Sequence, residues 1–289
     1  MRVENTYNTK QLRDYANLFL RSEVQAWLSE DLSSIRNRIE RYDDQWQHVK
    51  GASYLDYLRH LYQVLETHYQ NEYVYKNTLL NEYLIKEIGQ GNSTLFNEYR
   101  VGQSVADLVL FNGCSTAFEI KTELDSDSRL PLQLENYRKA FNKTYLVIPE
   151  SKLPYYEQYD QSVGLISFNS KKRQHFTQHR EAHYSVVIDA GVIMHILHTR
   201  EYKTLVLSYY DYLPEMTSFN QFNICMDLIK RIPVKELNRL FIEQMKSRTK
   251  KQVLSSRYYR EFNQLSLALR LSRAEKNRLI QVLKSPLNV

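Results

Sequence analysis

Glycine and proline are scarce in this chain, seven and six among 289 residues. So few breakers exclude a collagen-like or low-complexity chain and point to much helix joined by short loops. Cysteine is scarcer still. Cys114 and Cys225 stand more than 100 positions apart without metal-type spacing, so the expectation is two free thiols in a reducing cytoplasm rather than a disulfide framework. No apolar run approaches the roughly 20 residues that span a bilayer, and Met1–Tyr7 lacks the apolar stretch of a secretion signal. Also missing are a phosphate loop, a Gly-x-Gly dinucleotide fingerprint and a Gly-x-Ser-x-Gly elbow. These absences argue against an ATPase, a dehydrogenase and an esterase of the hydrolase fold.

Tyrosine is abundant, at 23 copies, and suits half-buried helix faces and interfaces because its ring packs while its hydroxyl stays polar. Net charge is +6 but unevenly placed. From Lys246 onward eleven basic residues face only Glu261 and Glu275, a net of +9 that leaves −3 for residues 1–245. A polyanion is the partner that such a C-terminal segment fits, and a solvated Arg-rich helical surface is the plain alternative.

Apolar period divides the chain into three regions. Residues 1–71 read as helical, with Leu12, Tyr15, Phe19 and Leu32, Ile35, Ile39 at helical spacing and Ser53 capping a helix over Leu55–Leu65. A further helix over 72–88, ended by Gly89 and Gly91, opens a region 72–190 of changed period. Leu95–Arg100, Val105–Phe111, Thr116–Lys121, Thr144–Ile148 and Gly164–Phe168 read as strands. A helix with Asp127 or Ser128 as cap, Pro131 in its first turn and Leu134, Tyr137 and Phe141 as its stripe falls between the third and fourth. Residues 169–183 read as a polar loop and Tyr184–Asp189 as a possible strand. Residues 191–289 return to helical periodicity with basic character.

The chemistry concentrates on one hairpin. Asp107 stands on the second strand, and Glu119-Ile120-Lys121 on the third, with Asn112-Gly113 as turn signal between them. Alternation puts Glu119 and Lys121 on one face. Two acids and an amine at one sheet edge can hold a divalent cation and a water beside a phosphate. The register sets a condition. A two-residue loop turns Asp107 away from Glu119, whereas a three-residue loop, Asn112–Cys114 with a bulge, sets 107 opposite 119.

The order helix, three strands, helix, strand, with Asp107 and Glu119-Ile120-Lys121 so placed, resembles the PD-(D/E)xK nuclease superfamily over about residues 72–170. The resemblance implies an α/β restriction-endonuclease-like core (helix, three-stranded meander, helix, strand) with all-helical N- and C-terminal additions. It further implies a metal-dependent nuclease using Mg²⁺ or Mn²⁺ and acting on nucleic acid, DNA first. By the same resemblance, Asp107 and Glu119 hold the metal, the Ile120 carbonyl adds a ligand, and Lys121 orients the attacking water. Glu82 matches the helical acid of many members, with Glu87 or Glu98 as alternatives, and Gln133 matches a glutamine early in the following helix. No proline precedes Asp107, as in many members of the superfamily.

Candidate nucleic-acid contacts are Arg129, Lys171, Lys172, Arg173, Lys250, Lys251, Arg257 and Arg260, with Tyr258-Tyr259 able to stack on bases. Zinc held by His175, His179 and His183 is disfavoured because the segment reads as loop, and His195 and His198 are expected in a core. A non-catalytic nucleic-acid-binding or assembly protein keeping the nuclease fold is the alternative function. No membrane contact is expected, and pairing of two active sites in a homodimer is an open expectation.

Overall fold

The computed structural model describes residues 7–88, 93–248 and 258–287, which form two compact units. One comprises residues 1–83, 170–175 and 253–289, the other 84–169 and 176–252. These units cut across the three segments read from the sequence, because residues 258–287 join the N-terminal helices in one unit.

The first unit is helical. Helices Thr9–Asn17, Arg21–Leu28, Ser33–Tyr42, Tyr54–His68 and Glu72–Leu79 combine with Asn263–Ala268 and Arg273–Leu283. The expected stripe positions Leu12, Tyr15, Phe19, Leu32, Ile35 and Ile39 are all buried. Ser53 forms a capping box with Asp56, as its position before an apolar-periodic run implies. Tyrosine supplies packing and polar closure together. The hydroxyls of Tyr15 and Tyr57 both donate to Asp43 Oδ2 at 2.6 Å inside the core. Residues expected as a helix over 72–88 instead form Glu72–Leu79, a π-helical turn Leu80–Leu84 and Ile85–Ile88. The Gly89 and Gly91 stops lie outside the described residues.

The second unit carries a six-stranded sheet in the order β1-β2-β3-β4-β5-β6, with β1 Thr94–Val101, β2 Ser104–Phe111, β3 Ser115–Ile120, β4 Lys143–Pro149, β5 Gly164–Phe168 and β6 Phe176–Arg180. β1–β2–β3 is an antiparallel meander. The helix Leu130–Arg138 crosses from β3 to β4, which pairs parallel to both β3 and β5. The first five strands lie where the alternation places them. In β3 and β5 every residue is buried, as expected of strands covered on both faces. Phe111 meets Phe141 and Phe241 at 6.4 and 5.7 Å between ring centres, inside one cluster that also takes Leu134, Ile193, Val206 and Met245.

Two expectations fail here. Residues 176–180 are a strand and not loop: β6 pairs antiparallel with β5. Only Phe176 among its five residues is buried, so the apolar alternation that marks a strand is missing. Its hold comes from hydrogen bonds at the sheet edge and from the Arg180 guanidinium, which donates to the carbonyls of Glu157, Asp160 and Val163. Conversely, Tyr184–Asp189 is not a strand. It is fixed by exchange of hydrogen bonds between Ser185 and Asn142 and from Asp189 N to Lys139 O.

Gly164 answers a packing demand. It pairs across from Tyr145, and a Cβ there would lie 2.3 Å from the Tyr145 ring.

His195 and His198, expected in a core, are exposed. Both sit at helix edges, where one turn moves a residue out of the apolar stripe.

Candidate active site

The hairpin loop has three residues. Phe111 pairs with Ser115 and Leu108 with Phe118, leaving Asn112-Gly113-Cys114 outside the ladder. Asn112 N donates to Cys114 O at 3.1 Å. Gly113 adopts φ +127°, a conformation that side chains with a Cβ rarely reach. The ladder runs without the register shift that an accompanying bulge would give. Continued by one step, this register sets Asp107 opposite Glu119.

The side chains follow. Asp107, half-buried, accepts the Ile120 N–H on Oδ2 at 2.7 Å. The carboxylate therefore closes the end of the β2–β3 ladder and leans toward Glu119. Glu119 is only 3% exposed and Lys121 only 5%. Lys121 Nζ donates to Glu119 Oε1 and to Gln133 Oε1, both at 3.0 Å, while Gln133 Nε2 donates to the same Glu119 Oε1 at 2.6 Å. On the other oxygen, Oε2, Tyr137 OH lies at 2.7 Å, and the same hydroxyl lies 2.8 Å from the Val105 carbonyl.

The helix Leu130–Arg138 brings Gln133 and Tyr137 to one place because residues four apart share a helix face. Pro131 starts this helix and Leu134 turns into the core beside them. Neither expected cap is used: Arg129 occupies the N-cap position without a side-chain cap bond. Asp127 instead accepts from the Tyr156 hydroxyl.

Burial first and the Asp107 charge second raise the Glu119 pKa, Lys121 and the Tyr137 hydroxyl hold it down, and the net result is about 7. The carboxyl therefore titrates near neutrality. Protonated, it can donate to the Tyr137 oxygen and let the single phenolic proton serve Val105. Ionised, it competes with Val105 for that proton.

Two carboxylates face each other by register where burial disfavours negative charge, a donor set on which a bound Mg²⁺ or Mn²⁺ would relieve like-charge repulsion. On this test the residues fit such an ion. Among the described residues no group of three or more His, Cys, Asp or Glu is arranged to hold a metal. Asp107, Glu119 and the Ile120 carbonyl are the groups that would hold such an ion, which would take its remaining ligands from water.

Sequence-stated residues Asp107, Glu119, Ile120, Lys121 and Gln133 are thus brought together. Tyr137 belongs with them, although its sequence signature is that of a core position. Its i+4 spacing from Gln133 was the available signal.

Glu82 sits in the π-helical turn of the other unit, where its Oε1 lies 2.8 Å from His175 Nδ1. Its alternative Glu98 stands on β1 at the register position opposite Asp107, exposed and with φ 51°, left-handed backbone that is uncommon without glycine. Arg129 is exposed at the start of the crossover helix. Lys171, Lys172 and Arg173 are exposed in the first unit, and the Arg260 carbonyl there accepts from Asn77 and Asn81. Lys250, Lys251 and Arg257 lie outside the described residues. No described helix is long and apolar enough to cross a membrane.

A family model described as "Bacteriophage P4 protein cII" matches residues 65–270. A curated relative, "Protein cII" of Enterobacteria phage P4, is 34% identical over 94 residues, which are 32% of this chain and 36% of that protein. The match thus spans about a third of the relative's length. Among solved structures, a Silicibacter pomeroyi protein of unknown function aligns over 48% of this chain and 94% of its own, at 11% identity and a TM-score of 0.31. That likeness is too slight to carry an argument.

Proposed function

The chain belongs to the bacteriophage P4 protein cII family, and we propose that it acts as a metal-dependent nuclease hydrolysing phosphodiester bonds, with DNA as the first substrate to test. One observation carries the reading: the three-residue loop aligns Asp107 with a buried Glu119 whose carboxylate is gripped by Lys121 and Gln133.

Asp107 and Glu119 would hold Mg²⁺ or Mn²⁺, which when bound neutralises phosphoryl charge and lowers the pKa of a water. Lys121 presents a desolvated ammonium to the phosphate oxygen or the incoming water, where it steadies developing negative charge. Gln133 and Tyr137 act behind these groups: they fix the Glu119 rotamer from both of its oxygens and keep the carboxylate from swinging into the core. The C-terminal basic residues supply backbone contacts, which predicts binding that weakens steeply with salt.

The reading is tested by cleavage of linear, circular and single-stranded DNA, and of RNA, with Mg²⁺ or Mn²⁺ against EDTA. Cleavage that needs the metal and is lost in Asp107→Ala and Lys121→Ala supports it. Cleavage untouched by both substitutions rejects the assigned site. A binder without cleavage is the second reading, favoured by the engagement of both Glu119 oxygens in hydrogen bonds. It predicts salt-sensitive nucleic-acid binding and no turnover under any metal.

A further inference from the structure

The helical unit contains a cavity of about 640 Å³ lined by aromatic rings and cations together with neutral polar and aliphatic side chains such as Asn277 and Ile280. Tyr258, Tyr259 and Phe262 line it together with Arg273, Lys276 and Lys284, and no carboxylate is among the described lining residues. The three cations share a helix face, since offsets of three and eleven from Arg273 return to the same side. Phe262 is fixed as the floor, 2% exposed and stacked on Phe19 at 6.4 Å.

Tyr259 is held firmly. Its ring takes the Arg59 guanidinium at 5.2 Å and the Lys284 ammonium at 5.7 Å, and its backbone is left-handed at φ 58°. Tyr258, its neighbour, is 68% exposed. Its ring centre lies 6.3 Å from that of Tyr259, and an aromatic ring largely exposed beside a cavity offers a stacking surface. Lys276 is set inside the cavity wall, where burial draws its ammonium down to about 8, so an anion placed there would gain from its charge. The volume lies within the roughly 300–1,000 Å³ of small-molecule sites.

We propose that this cavity binds a nucleoside phosphate, free or as a unit of a single strand, with the base on Tyr258 and the phosphate among Arg273, Lys276 and Lys284. Aromatic faces without carboxylates favour a base and phosphate over a peptide or a sugar. The site goes beyond the nuclease reading and does not depend on it, because every lining residue belongs to the helical unit and none to the sheet that carries Asp107 and Glu119.

The test uses the full chain in EDTA, with anisotropy of a fluorescein-labelled oligothymidylate of about 12 nucleotides, a length that fills sites of this class. AMP, ATP and inorganic phosphate serve as competitors. AMP and ATP should displace the strand, and inorganic phosphate at equal concentration should not. Tyr258→Ala and Lys276→Gln should each weaken binding about ten-fold, the scale of one stacked base, and Tyr258→Phe should restore it. Competition by AMP as strong per nucleotide as by the strand identifies a free nucleotide as the ligand. A strand that AMP displaces only weakly identifies a polymer site.

Unchanged binding in both variants, or inorganic phosphate competing as well as AMP, overturns the proposal. Tyr258 is exposed, so Tyr258→Ala keeps the test valid even where Lys276→Gln folds poorly. Because the assay is run in EDTA and reads binding alone, its failure is distinguishable from failure of the nuclease reading, which is scored by metal-dependent cleavage.

Discussion

Removing the Tyr137 hydroxyl isolates the polar grip on Glu119. In Tyr137→Phe the ring keeps its place, fully buried and 6.2 Å from Phe141. What goes is one donor that lies 2.7 Å from Glu119 Oε2 and 2.8 Å from Val105 O. Loss of a partner to a buried charged acceptor costs about 1.5–3 kcal/mol, and to a neutral one nearer 1 kcal/mol.

The cost should therefore depend on pH. In the native protein the Glu119 carboxyl titrates near 7, above its unfolded value. The folded state binds the proton more tightly, so this group's contribution is full below about pH 4.5 and is lost as pH rises through 7. Over the interval from its ordinary 4.5 to about 7 that amounts to roughly 3 kcal/mol, at 1.36 kcal/mol per unit. The Tyr137 hydrogen bond lowers the Glu119 pKa. Its removal raises that pKa further and extends the loss to higher pH.

Urea unfolding followed by circular dichroism at about pH 5 and pH 8.5 measures both effects. Tyr137→Phe should be destabilised by about 1 kcal/mol at the lower pH and by about 2–3 kcal/mol at the higher. Equal destabilisation at the two pH values would refute the assignment, because the hydroxyl would then not be serving an ionising carboxylate.

Further outcomes follow from the same contacts. On the proposed metal site, Mg²⁺ would need ionised Glu119, so its affinity in calorimetry should rise with pH up to about 7 and then level. Lys121→Met removes the cation that holds the Glu119 pKa down, and a carbonyl-region infrared titration should place the Glu119 pKa above that of the native protein. Asn142→Ala strips the acceptor from Ser115 N and Oγ and the donor to Ser185 O at a 1% exposed position. It should cost about 2–4 kcal/mol in urea midpoint shifts. Gly164→Ala sets a methyl 2.3 Å from the Tyr145 ring and should cost about 1–3 kcal/mol by overpacking.

Much of the sheet was legible because its strands alternate or run apolar over five or more residues, as Val105–Phe111 and Thr144–Ile148 do. The polar strand Phe176–Arg180 was not, since only Phe176 faces inward and its stability is a matter of hydrogen bonds. Tyr184–Asp189 misled for the opposite reason: it has strand-like composition, yet Asn142 and Lys139 claim its main-chain groups. The facing of Asp107, Glu119 and Lys121 was readable from their spacing and the turn, whereas Gln133 came only from the resemblance. Tyr137 was hidden, because an aromatic in an apolar helix stripe looks the same with or without a polar partner for its hydroxyl. Arg273, Lys276 and Lys284 went unlisted since each is an ordinary helical cation until the chain folds Tyr258 and Tyr259 against them.

The three-residue loop makes the candidate site depend on counting as well as chemistry. Deleting Cys114 or inserting one residue beside Gly113 leaves every acid, amine and amide in the chain, yet sends Asp107 and Glu119 to opposite sides of the same sheet. Length change at that tip should silence the site as thoroughly as loss of either carboxylate, whereas a two-residue insertion restores parity and with it the facing pair.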